Sequence, residues 1–229
     1  VHGGGFSRSL GLQSLTGMII TPDSLKEQLR QQRDLFHEAH ATRLHRAISW
    51  WRAALAQEGQ TDLQFITAWI SLNACALTAQ QNESPDFLPL MQRLVRLDQE
   101  QSLYGLLWHT YSGPVKALIK NPYVYGPFWE AQRAADSVSD WRSGFEKASV
   151  EALNCLSRKK VPELLSITLE RLSVLQDQVL GGGATYASQV NREQVETGAK
   201  LLLSLLPVIL NIMLHHPDED WGELAYPVL

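Results

Sequence analysis

From Pro22 to the C-terminus the apolar residues recur at spacings of three and four. No stretch sustains the period-two alternation of a half-buried strand bounded by turns, so the pattern predicts helices throughout. Thr21 suits an N-cap and Pro22 the first helical position, opening a helix through SLKEQLRQQRDLFHEAH with Leu25, Leu29 and Phe36 on a partial stripe. Thr42 is placed to cap a second helix, with Leu44, Ile48, Trp51 and Leu55 at spacings of four, three and four and Gly59 at its end. Thr61 and Asp62 begin a third, LQFITAWISLNACALTA, carrying Phe65, Ile66, Trp69, Leu72 and Ala76. It is apolar nearly all round, which predicts a central helix.

Pro85 and Asp86 open a fourth helix, FLPLMQRLVRLDQE. Between residues 100 and 130, Gly105, Gly113, Pro114, Pro122, Gly126 and Pro127 permit only short helices. Ser139 starts a longer helix through Leu156. Pro162 sits in the first turn of the next, whose stripe is Leu165, Leu169, Leu172, Leu175 and Val179. Asn191 is placed to cap a last helix, which Pro207 should kink or break. The expectation is an all-α bundle with one domain, residues 18–229, and a loop-rich insertion of short helices. Residues 1–17 are rich in glycine and serine and carry no acid. They read as a leader, either a cloning remnant or unstructured, with Met18 as the native start.

Composition narrows the picture modestly. With 45% hydrophobic and 19% charged residues, 229 residues are enough to bury a substantial core. A net charge of −4 excludes gripping nucleic acid by bulk electrostatics. Arg30, Arg33, Arg43, Arg46 and Arg52 would form at most a partial local basic patch. Cys75 and Cys155 fall in apolar helical patterns, as buried thiols of a reducing compartment do. No secretory h-region is visible, and the apolar run Leu201 to Leu214 is too short to cross a bilayer, so the expected location is cytoplasmic, off the membrane.

The chemistry question concentrates in LSVLQDQVLGGGATYASQVNREQV, Leu172 to Val195, where an apolar helix runs into three glycines. Gly181 or Gly182 suits a left-handed helix cap. A phosphate loop is a poor alternative: no lysine follows the last glycine, and a helix rather than a strand precedes the run.

A third reading comes from resemblance. RLHRAISWWRAA is similar to the Arg/Trp-rich second helix of the larger bacterial HEPN-domain proteins. FITAWISLNACA resembles their F-I-x-x-W-I-A-F-N-A helix. VLQDQVLGGGATYASQVNREQVETGAKLL resembles L-R-N-Q-L-V-H-G-G-A-T-W followed by S-x-x-N-R-x-Q-V, and the closing DEDWGELAYPVL is similar to the ending W-G-x-x-x-Y-P-V. The resemblance implies a HEPN-like helical bundle and a homodimer with its site between protomers. It also implies metal-independent RNA cleavage by an arginine that stabilises phosphate charge and a histidine that moves the 2′-hydroxyl proton.

At the matching positions this chain departs from the family. Gln176 stands for the arginine, Asp177 for a frequent asparagine and Gly181 for the histidine. Glutamine cannot neutralise a phosphate oxygen, and glycine carries no proton. Asp177 adds negative charge where a polyanion approaches, a cost on the order of 1–4 kcal/mol at surface-like dielectric. The retained neighbours Gln178, Gly182, Gly183, Ala184, Thr185, Asn191 and Arg192 are expected to serve turn geometry and helix capping.

Outside the junction, Arg30 with His37 and Arg33 with His40 have a loose arginine–histidine spacing on what reads as one amphipathic helix. His37 and His40 have a three-residue metal spacing but no third ligand, and His215-His216 suit a helix C-terminus. No metal or other cofactor is implied. The seven tryptophans could stack bases, although most sit on packing stripes. The expected function is binding without catalysis, of a protein partner such as an antitoxin or of RNA, in a bacterial toxin–antitoxin or phage-defence setting that the resemblance implies. The rival is an active endoribonuclease using displaced residues such as Arg33 and His40 or Arg192, and a purely structural scaffold is third. DNA is not expected as a ligand.

Overall fold

The computed structural model describes residues 20–79, 86–134, 140–189 and 192–228. The leader, Met18, the Pro85 and Ser139 helix starts and the Asn191 cap lie outside the described residues. The chain is an all-α bundle: α1 (Pro22–Gln31), α2 (Glu38–Ala56), α3 (Thr61–Ala76), α4 (Phe87–Leu97), α5 (Ser102–Gly105), α6 (Ser112–Ile119), α7 (Gly126–Arg133), α8 (Trp141–Ser157), α9 (Val161–Leu180) and α10 (Arg192–His215). Short segments at Leu106–Thr110 and Pro122–Val124 complete the loop-rich insertion between α4 and α8.

Local chemistry explains most of the starts. Thr21 and Ser24 bond each other's backbone amides in a capping box, with Pro22 in the first turn of α1. Asp86 accepts from Leu88 N at 3.0 Å to cap α4, and Asp140 accepts from Ser143 N at 3.2 Å to cap α8. The first helix is shorter than its pattern predicts. α1 stops at Gln31, a 3-10 turn spans Arg33–Leu35, and α2 begins at Glu38, which puts Thr42 inside α2 instead of at its cap. The break lets Phe36 turn into the core and pack against His40, ring centroids 5.3 Å apart. Leu55 is exposed and Ala54 takes the buried position at that end of α2.

The core forms where α3 packs against α2 and α10, while α9 packs against α4 and α8. Phe65, Trp69, Leu72 and Ala76 of α3 are buried, as are Leu165, Leu169, Leu172 and Leu175 of α9; Val179 is only partly covered. Gly198 allows α10 to approach both neighbours. A Cβ there would lie 2.8 Å from Phe65 and 3.1 Å from Leu172. Pro207 does not break α10, which continues to His215 with Pro207 buried. The missing N–H removes one ladder bond, and burial of the apolar residues on both sides of it offsets that loss. At 24 residues α10 is longer than the Leu201–Leu214 run suggests and could span a bilayer by length and composition, but 72% of its apolar window is buried inside the bundle.

The last segment folds back over α2 and α4. Trp221 is buried, stacked on His40 at 5.6 Å with the Arg93 guanidinium 5.7 Å from its ring centre. Glu219 pairs with Arg96 at 2.6 Å and Arg93 at 3.4 Å. Arg43 Nη2 donates to the carbonyls of Gly222 (2.9 Å) and Glu223 (3.3 Å), and a single β-bridge joins Thr78 to Leu224. The segment from Glu219 to Leu224 is therefore a clasp over α2, α4 and the residues just after α3.

Candidate functional site at the glycine junction

The end of α9 is a complete Schellman turn. Gly182 adopts φ +73°, Gly182 N donates to Val179 O (3.3 Å), and Gly183 N donates to Gln178 O (2.7 Å). The three glycines thus do the capping work their sequence suggests, with Gly182 the left-handed residue. After them the chain turns again: Ser188 N donates to Thr185 O, and Ala187 takes φ +54°.

A carboxylate from another helix fixes this second turn. Asp62, in the first turn of α3 and largely buried, accepts from Ala187 N at 2.9 Å and from Arg192 Nη2 at 3.0 Å through the same Oδ2. Arg192 Nε donates to Ser188 O at 2.8 Å. The first turn of α3, the turn after α9 and the start of α10 are therefore held by one ion pair. The sequence pattern puts Arg192 at the junction and Asp62 only at the opening of α3. The signal for its larger role was an acid in the first turn of an apolar helix with no basic partner nearby in sequence.

Gln176, Asp177 and Gly181 lie at the edge of this frame. Gln176 is half-buried, and Asp177 and Gly181 are exposed. Partial loss of water around its carboxyl raises the Asp177 pKa from its ordinary value. Gln178 faces another way: its Nε2 donates to Tyr123 O at 2.6 Å and ties α9 to the insertion. Gly182 and Gly183 are in the Schellman turn, and Thr185 is exposed, with its carbonyl in the next turn. Room at Gly181 is tight. A Cβ there would lie 2.7 Å from Asp177 O, so any side chain requires a local backbone shift.

The other candidates are not brought to the junction. Arg30 pairs with Glu27 (2.9 Å), and Arg33 Nη1 donates to its neighbour Phe36 O (3.4 Å). Neither arginine shares a helix with its histidine, because the chain breaks between them. His40 lies in the core beneath the clasp, with Nε2 donating to Met213 O at 3.0 Å. Burial pushes its pKa down to about 4, so the ring is neutral near pH 7. Arg192 is committed to Asp62. The basic patch is also dispersed: Arg43 is buried, Arg46 donates to Tyr226 O, and Arg52 pairs with Asp23. Nδ1 of His215 and of His216 each meets the carbonyl four residues earlier. Among the described residues no group of three or more His, Cys, Asp or Glu side chains could hold a metal ion.

Chemically, the junction can present a rigid, hydrogen-bonded surface. It offers no guanidinium for a phosphate and no imidazole for a 2′-hydroxyl proton at Gln176, Asp177 or Gly181. No protein-family model, curated protein or solved structure matches the chain.

Proposed function

We propose that this chain is a HEPN-like protein that has kept the scaffold of a ribonuclease site without its reactive groups, and that it acts in the cytoplasm, as a homodimer, by binding RNA or a protein partner. The setting that fits is a bacterial toxin–antitoxin or phage-defence system. The observation that carries this reading is the contrast within one junction. The Schellman turn and the Asp62–Arg192 pair are intact, while Gln176, Asp177 and Gly181 stand where the chemistry would act. General acid–base catalysis alone contributes about 10²–10⁴-fold to a rate, so losing the histidine and arginine together leaves little of it. An active enzyme built on Arg33, His40 or Arg192 has less support: His40 is buried against Met213 O, Arg192 is paired with Asp62, and Arg33 lies in the separate turn before α2.

The test is restoration. The triple variant Gln176→Arg, Asp177→Asn, Gly181→His should gain RNase activity or become toxic to cells, provided circular dichroism and sedimentation report the wild-type fold and assembly. A folded, dimeric variant that remains inert contradicts the reading. The fold check is needed because the Cβ at position 181 must displace the Asp177 carbonyl.

A further inference from the structure

The insertion carries a surface that the bundle does not use. α7 buries none of its residues, and α8 buries none before Ala152. Six rings lie along this stretch, all partly or well exposed: Tyr123, Tyr125, Phe128, Trp129, Trp141 and Phe145. They form one connected run. Tyr125 meets Phe145 at 5.4 Å, Phe145 meets Trp141 at 6.4 Å, Trp141 meets Phe128 at 4.9 Å, and Phe128 meets Trp129 at 5.0 Å and Tyr123 at 5.4 Å. The run is held firmly to α9. The Tyr123 carbonyl accepts from both Trp129 Nε1 (2.8 Å) and Gln178 Nε2 (2.6 Å), and Val124 is buried beneath it.

Inside the run is an arginine without an anion. Arg171 of α9 is only 5% exposed, its guanidinium lying 4.5 Å from the Tyr125 ring centre and 5.5 Å from that of Phe145. Among the described residues nothing gives it a hydrogen bond or an ion pair. The adjacent acid, Glu170, instead accepts from Ser166 Oγ at 3.1 Å. A second guanidinium, Arg142, covers the Trp141 ring at 5.1 Å. A largely buried cation with no carboxylate in contact is costly: burial lowers the Arg171 pKa, and the nearby Tyr125 and Glu170 offset that only in part.

We propose that this aromatic shelf binds a short single-stranded stretch of RNA, bases stacking on Trp129, Trp141 and their neighbours while one phosphate reaches Arg171. The proposal rests on the RNA-binding branch of the function proposed above and gives it a place. A nucleotide supplies both missing partners in one unit, a flat ring for the aromatic faces and an anion for the guanidinium. The chain's net charge of −4, with Glu130 and Glu146 on the same helices, means that stacking rather than long-range attraction must hold the strand. The shelf packs along the Arg171–Val174–Gln178 side of α9.

The probe is a fluorescent single-stranded RNA dodecamer titrated by anisotropy against the full chain, with the same sequence as a duplex for comparison. The single strand should bind and the duplex bind at least about tenfold more weakly, since paired bases cannot stack on the rings. Trp129→Ala and Trp141→Ala should each weaken binding about five- to a hundredfold, with unchanged circular dichroism and sedimentation. Because few phosphates are neutralised, the log–log salt slope should lie near −1, about 0.7 per phosphate on a single strand. Full affinity in the Trp129→Ala, Trp141→Ala double variant overturns the proposal, as does a wild type that binds no RNA. So does a change in oligomeric state without a change in RNA affinity, which would assign the shelf to a protein interface. The two proposals fail separately. Cleavage of the probe by the wild type defeats the non-catalytic reading and leaves the shelf standing, whereas intact RNA bound equally by the double variant defeats only the shelf.

Discussion

Gly182 and His40 show how much one side chain decides here. At φ +73° an alanine at position 182 meets the left-handed penalty, so Gly182→Ala should lower unfolding stability by about 1 kcal/mol, read as a drop in urea midpoint at constant m-value. His40 gives a pH signature. Its folded pKa of about 4 lies below the ordinary histidine value, so the unfolded chain binds the proton more readily. Stability is therefore complete above about pH 6.5 and is lost as pH falls toward about 4, at up to about 1.4 kcal/mol per pH unit and on the order of 3 kcal/mol in all. In denaturation curves across that window, the stability of wild type should fall relative to that of His40→Phe as the pH drops. Parallel curves would mean that His40 does not titrate with folding.

Among the elements, the Asp62–Arg192 pair joins α3, the turn after α9 and α10, and both side chains are largely shielded. Asp62→Ala should cost about 2 kcal/mol, because it orphans both Arg192 and the Ala187 amide. A double-mutant cycle with Arg192→Gln should return a coupling of about 1 kcal/mol or more, and near-additive losses would remove the pair from its role. Neighbouring residues determined which elements could be read from the sequence. Thr21 with Pro22, Asp86 and the glycine run announce helix ends by local hydrogen bonding, and the structure places ends there. The break before α2 was hidden because Phe36 continues the Leu25–Leu29 spacing, and only the position of His40 and Trp221 makes turning there favourable. Pro207 does not end α10 for a similar reason: its local penalty is visible in sequence, while the burial of Leu205 to Leu210 around it is not. Within the site, the capping glycines were legible. Asp62 and Arg171 were not, since their partners lie far along the chain.

For the whole molecule, the C-terminal clasp closes the bundle from outside, and its keystone is Trp221 between His40 and Arg93. Trp221→Ala should destabilise the chain by about 3–5 kcal/mol in thermal or urea unfolding, far more than an exposed aromatic would. Arg43, buried and bonded to two clasp carbonyls, should show a comparable loss when replaced by alanine. Gln178 links the junction to the aromatic shelf, since it follows Asp177 in α9 and donates to the Tyr123 carbonyl.

The most direct measurement incubates the purified wild-type chain with end-labelled single-stranded RNA, without added metal, and resolves the products on a denaturing gel over hours at protein excess. The prediction is RNA that stays full length even where a parallel gel shift finds it bound. Discrete fragments whose yield falls when Arg33, His40 or Arg192 is substituted would contradict it, because strand scission would then be proceeding from side chains assigned here to structural contacts.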